Sequence, residues 1–182
     1  SFRRDFKIFL LIQALFTIGN FSYAFFLLRS TNLGVPQTLA PMLYLVFNIF
    51  YAISALPMGV VMDKIGRRPV LSVGYGLLAL TSAGFAWASS VVEAIILFAA
   101  YGLFRATYET SYRAIVPELV PLELKATAYG IMNMFVGLMA IPAGVIAGAL
   151  WQLYGGVAPF VLSLLVSVAS MALYLALLGA KR

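Results

Sequence analysis

Six apolar runs, each about as long as a bilayer is thick, divide this chain, and charge, proline or glycine bounds every one. A hydrocarbon core of ~30 Å takes about 20 residues of helix at ~1.5 Å rise per residue. The runs extend from Lys7 to Leu28, Pro41 to Met62, Pro69 to Ser89, Val92 to Arg113, Lys125 to Trp151 and Val157 to Leu178, and little chain remains outside them. Of the 182 residues 63% are hydrophobic and 10% charged, with mean hydropathy +1.01. A soluble domain has roughly 45–50% apolar and about 25% charged residues. A chain of this length cannot hide so much apolar surface from water, so lipid is its second solvent. The expected fold is all-α, a polytopic membrane protein built as a single bundle of six transmembrane helices.

Basic residues near span ends resist translocation and mark the cytoplasmic side. Of the 12 Lys and Arg residues, ten fall on the side of the two termini: Arg3, Arg4, Lys7, Lys64, Arg67, Arg68, Arg113, Lys125, Lys181 and Arg182. Arg29 sits on the other side, and Arg105 falls inside the fourth span. Both termini are therefore expected in the cytoplasm. The net charge of +6 is accounted for by orientation, which leaves no basic face for nucleic acid. The first run is too long for a signal peptide and lacks a small-residue cleavage site, so it reads as a true span. Ser1 stands where an initiator methionine would, which leads us to expect a piece of something longer.

With no cysteine and no histidine, the sequence excludes disulfides, thiolate or imidazole metal sites, Ser-His and Cys-His catalytic pairs and histidine proton relays. Neither an enzyme nor a cofactor is expected. An intramembrane protease would need a nucleophile with histidine or an aspartyl pair. A channel of the aquaporin type would need paired Asn-Pro-Ala half-helices, and a mitochondrial carrier its threefold Pro-x-Asp/Glu-x-x-Lys/Arg repeat; the sequence contains neither.

Between the second and third runs the chain reads Gly59-Val-Val-Met-Asp63-Lys64-Ile-Gly66-Arg67-Arg68. The glycines permit a tight turn and close helix approach, Asp63 can accept from a helix N-terminus or a guanidinium, and the two arginines can make forked ion pairs. This GxxxD(R/K)xGRR pattern resembles the cytoplasmic loop signature of the major facilitator superfamily, which joins the second and third helices of a six-helix half. Its place between spans two and three, on the positive side, agrees. The link from Arg113 through Pro117-Glu118 and Pro121 to Lys125 and Gly130 is similar to the connection between the fourth and fifth helices of such a half. The opening segment from Phe6 to Arg29, with Leu15-Phe-Thr-Ile-Gly19-Asn20-Phe-Ser, is similar to the seventh helix of bacterial and archaeal members, which favours the C-terminal half. Gly137, Pro142, Gly144 and Gly148 loosely resemble the antiporters' glycine-proline motif, but Ile141 stands where a glycine would be expected.

The resemblance implies a secondary active transporter in a prokaryotic inner membrane. Two six-helix halves would rock about a midplane site to give a small organic solute or drug alternating access. The partners expected are membrane lipid, the small-molecule substrate, and either the other half or a second copy of this chain. The alternatives are a half-size protein that works only as a homodimer, and an excised or engineered scaffold without transport of its own. The family's first helix often carries an acidic residue near the position of Tyr23, so a coupling carboxylate is not available there.

Polar groups at membrane depth need a partner or a wet cavity. Arg105, Glu109 and Arg113 recur at i, i+4 and i+8, on one helical stripe. Glu109 and Arg113 are expected to join Asp63, Arg67 and Arg68 in a cytoplasmic charge cluster; the competing reading makes Glu109 a protonatable coupling site. Arg105, flanked by Tyr101 and Tyr108, is a candidate to take an anionic or carbonyl group of substrate, or else pairs with Glu109 only to anchor the helix. Gln13, Asn20, Asn48 and Asn133 are further substrate-binding candidates, each weighed against an interhelical hydrogen bond. Gly74, Gly76, Gly84, Gly144 and Gly148 read as close-packing positions.

Overall fold

The computed structural model describes residues 4–179, so the basic residues Arg3, Lys181 and Arg182 lie outside the described residues. Among the described residues every regular element is helical. Six helical stretches are long and apolar enough to cross a membrane: Arg4–Asn32, Gln37–Ile65, Arg67–Trp87, Val91–Leu119, Leu122–Tyr154 and Ala158–Gly179.

The first stretch is two helices, α1 (Arg4–Gly19) and α2 (Ala24–Asn32), separated by a break over Asn20 to Tyr23. Hydropathy alone reads the run as continuous; the turn chemistry of Gly19-Asn20 and Ser22 interrupts it. The Asn20 amide closes α1 on the Phe16 carbonyl at 2.9 Å, and the Ser22 hydroxyl accepts from the Ala24 amide at 3.3 Å. Each remaining span has one main helix: α3 (Ala40–Ile65), α4 (Arg67–Trp87), α5 (Val91–Leu119), α6 (Lys125–Tyr154) and α7 (Ala158–Tyr174). One π-helical turn, Leu175–Gly179, follows α7. Single 3-10 turns, Gln37–Leu39 and Leu122–Leu124, lead into α3 and α6.

Local chemistry sets the ends. Gly66, at φ +93°, both ends α3 and precedes α4, a conformation that costs glycine nothing. At the start of α5, the N-cap Ser90 accepts from the Glu93 amide, and the Glu93 carboxylate reaches back to accept from the Ser89 amide at 2.8 Å, a reciprocal cap extended one residue outward. At the end of α4, Arg29 donates to the carbonyls of Phe85 at 3.0 Å, Ala88 at 3.3 Å and Ala86 at 3.4 Å. A cation there satisfies orphan carbonyls at the negative end of the helix. Arg29 therefore has a structural duty at the end of α4.

Neighbouring helices follow the order α3, α5, α4, α7, α1, α6, so the two ends of this row, α3 and α6, flank a groove. Burial follows the same order. Only 6% of the most apolar stretch of the second span and 11% of that of the fifth are buried, against 28% to 56% in the other four. Aromatic rings fill the interior. Phe16 lies 4.6 Å from Tyr75 and 4.8 Å from Tyr108 between centroids, and Phe26 lies 4.4 Å from Tyr101. Helices approach closely where glycine allows it. A Cβ at Gly102 of α5 would stand 2.5 Å from the Phe47 carbonyl oxygen of α3, and one at Gly74 would stand 3.3 Å from the Tyr108 Cα. At Gly59, Gly137, Gly144 and Gly148 a Cβ would meet nothing within 4 Å. The close-packing reading of Gly144 and Gly148 is thus corrected within this chain, because no other helix of it comes within contact of either position.

Candidate functional site

The groove between α3 and α6 deepens into a cavity of about 420 Å³. The break in the first span supplies Asn20, Ser22 and Tyr23; α3 supplies Tyr44 and Phe47; α5 supplies Tyr101 and Arg105. The α6 side contributes only Ala140 and Gly144. Irregular backbone is tolerated at membrane depth where it lines a cavity or lies buried in protein. The break thus falls where its polar groups have an outlet.

Rings line one wall in succession: Tyr23 stacks on Tyr44 with centroids 5.2 Å apart, Tyr44 on Phe47 at 5.6 Å, and Phe47 lies 5.3 Å from Tyr101. One helical turn beyond Tyr101, Arg105 offers a guanidinium that is about a third exposed, with a side-chain exposure of 32%. Behind it, Glu109 accepts from Arg105 in an intrahelical ion pair and from the Tyr51 hydroxyl of α3 at 3.0 Å, and lies 3.9 Å from Arg113. Glu109 is not among the lining residues. The Arg113 carbonyl accepts from Tyr129 of α6 at 2.6 Å, so this charged stretch of α5 contacts both α3 and α6.

Of the residues picked from the sequence, the structure brings Asn20, Tyr101 and Arg105 together at the cavity. Gln13 and Tyr108 lie elsewhere. Both are buried; the Tyr108 hydroxyl donates to Gln13 Oε1 at 2.7 Å, and Gln13 Nε2 donates to the Tyr75 hydroxyl at 2.9 Å. The polar groups of Gln13 are spent on holding α1, α4 and α5 together, which corrects their assignment to substrate. Asn48 bonds the Tyr44 carbonyl of its own helix at 2.7 Å, and Asn133 is exposed on α6; neither lines the cavity.

The expected single cytoplasmic charge cluster divides in two. Arg67 of the loop motif pairs with Glu118 at 2.7 Å and donates to the Ala114 carbonyl at 3.2 Å, while Arg68 donates to the Leu178 carbonyl at 3.0 Å. Glu109 is committed to Arg105, Tyr51 and Arg113 instead. The division arises because α5 continues through Arg113 to Leu119, which carries Glu118 to the loop while Glu109 stays with the cavity. Glu118 was legible in the sequence only as part of a connecting segment. Asp63 and Lys64 are exposed at the end of α3, and Gly59 stands in open space on the same helix. The loop thus ties α4 to the ends of α5 and of the last helix.

A polytopic α-helical membrane protein with a half-open, aromatic-walled cavity and a charged floor is the class that these features define. The sequence pattern of the Major Facilitator Superfamily is matched over residues 9–182. A curated relative, an uncharacterized MFS-type transporter of Methanocaldococcus jannaschii, is 39% identical over 175 residues, covering 89% of this chain and 44% of that protein. The chain belongs to the Major Facilitator Superfamily, whose members are transporters and not enzymes. It spans less than half the length of the curated relative it matches.

Proposed function

We propose that this chain is one wall of a secondary active transporter that moves a small organic solute by alternating access, with the cavity at Asn20, Tyr101 and Arg105 as its share of the substrate site. The observation that carries the reading is the juxtaposition of this cavity with the two least buried helices. The faces of α3 and α6 flank the opening and present Leu45, Ile53, Leu56, Ile141 and Val145 outward. A second six-helix bundle seated on them encloses the solute. A partner half belonging to the same protein is favoured over a second copy, because the matching relative is more than twice as long as the aligned part of it. We read the chain as the C-terminal half on the likeness of its opening segment, in a prokaryotic plasma membrane, with both termini cytoplasmic on the distribution of its basic residues.

This chain contains no cysteine, so labelling sites can be introduced into it singly, in the assembled transporter with any cysteine of the other half replaced. Single cysteines at Gly144, on the cavity, and at Gly76, beside Met171 on the far side of the bundle, are labelled in oriented vesicles with a membrane-impermeant maleimide. Alternating access predicts that Gly144→Cys is labelled from either face of the membrane and Gly76→Cys from neither. Labelling of Gly144→Cys from one face only, under every condition that drives transport, refutes the proposal.

A further inference from the structure

Resting on the reading of this cavity as the substrate site, we infer that its substrate is an aromatic organic anion: a planar ring system with one carboxylate or similar acidic group, held by the rings of α3 and α5 and by Arg105. Three observations converge on this class. Arg105 is the charged side chain on the cavity wall, and the lining contains no acidic residue. An organic cation would meet a guanidinium of its own sign, with Glu109 already engaged by Arg105, Tyr51 and Arg113.

Arg105 and Glu109 neutralise one another and Arg113, with 65% of its side chain exposed, stands at the outer end of the stripe, so what the pair leaves on the cavity wall is the free edge of the Arg105 guanidinium, a donor for an acid group. A charge-assisted pair to a guanidinium is about twice as strong as a neutral hydrogen bond, which separates an acid from its amide. Shape selects the rest of the molecule. The ring wall formed by Tyr23, Tyr44, Phe47 and Tyr101 faces an α6 side made of Ala140 and Gly144, so the cavity has aromatic rings along one side and almost no side chain on the other. A ring system packs against such a wall edge-to-face or offset. The half-open cavity of about 420 Å³ has room for a system of one or two fused rings on this side of the site. On binding, the acid group shares Arg105 with Glu109, which retains Tyr51 and Arg113.

The test measures equilibrium binding of four matched probes to the protein, purified in mild detergent with whatever copurifies with it: 2-naphthoate, 2-naphthamide, 2-naphthylmethylamine and cyclohexanecarboxylate. The expected order has 2-naphthoate at least tenfold tighter than each of the others. Arg105→Gln should abolish the preference of naphthoate over the amide. Glu109→Gln, which removes the competing carboxylate, should tighten naphthoate about tenfold, a gain that misfolding cannot imitate. Gly144→Trp, which puts a large ring on the open side of the cavity at a position where a Cβ meets nothing within 4 Å, should block every probe that binds. Equal or tighter binding of the amide or amine, or no tightening in Glu109→Gln, overturns the anion assignment. If Gly144→Trp nevertheless blocks the probe that binds, the cavity stands as the site and only the substrate class falls. Binding that ignores Gly144→Trp overturns both.

Discussion

The most exacting test of this architecture is a single methyl group at Gly102. The α3 and α5 helices cross there so closely that a Cβ would lie 2.5 Å from the Phe47 carbonyl oxygen and 2.9 Å from the Tyr51 amide nitrogen. Both are backbone atoms, so no rotamer change relieves the overlap. To restore even a tight contact of 3.4 Å, the helices must part by about 0.9 Å. Overpacking of this kind costs about 3 kcal/mol, toward the upper end of the usual 1–3. Alanine regains about 1 kcal/mol through helix propensity, which leaves a net loss of about 2 kcal/mol. For a chain of this size that lowers the unfolding midpoint by about 4–8 °C on the scaling of soluble domains. Thermal unfolding in mild detergent, followed by the near-ultraviolet signal of the aromatic core, reads the change. Gly76→Ala is the control, because its Cβ would lie at an ordinary 3.7 Å from the Met171 sulfur; it should leave the midpoint unchanged or slightly raised. A Gly102→Ala protein as stable as the parent would mean that α3 and α5 do not cross at this residue, and the cavity wall built from Phe47 and Tyr101 would fall with that crossing.

Gln13→Leu keeps the volume but strands the Tyr75 and Tyr108 hydroxyls in the core; it should cost about 2–4 kcal/mol, and Tyr108→Phe in the same background should recover part of it, both read as unfolding midpoints. Arg29→Ala removes the cap from three carbonyls at the end of α4 and should cost about 1–3 kcal/mol, whereas Arg29→Lys, without the guanidinium fork, should restore less than half of it. The Arg67–Glu118 pair is about 40% exposed on both sides (41% and 39%), so a double-mutant cycle on stability should return no more than about 1 kcal/mol. A much larger coupling would mean that the pair is desolvated in the assembled protein.

What the sequence made legible, and what it did not, follows from the range of the interactions. Span number and helical class are written in runs of some twenty residues, a property each segment has by itself, and the loop motif is equally local. Pairings between segments are not. Spacing drew attention to Gly144 and Gly148, four apart on α6, but the tightest backbone crossing uses the lone Gly102, whose importance depends on where Phe47 sits on another helix. Gln13 and Arg105 show the same limit. Each is a polar residue within an apolar run, and each looks alike to a test of hydropathy. One is saturated by two tyrosines from α4 and α5; the other is turned to a cavity. The break at Asn20 to Tyr23 escaped because Gly19, Asn20 and Ser22 are turn formers inside a run whose hydropathy still spans the bilayer. Its function is defined by the open space beside it. In a membrane bundle the apolar residues say little about function, since lipid and core accept the same side chains. On the reading proposed above, function rests with the few polar side chains that the bundle turns toward open space, and in the groove between α3 and α6 these are Asn20, Ser22 and Arg105.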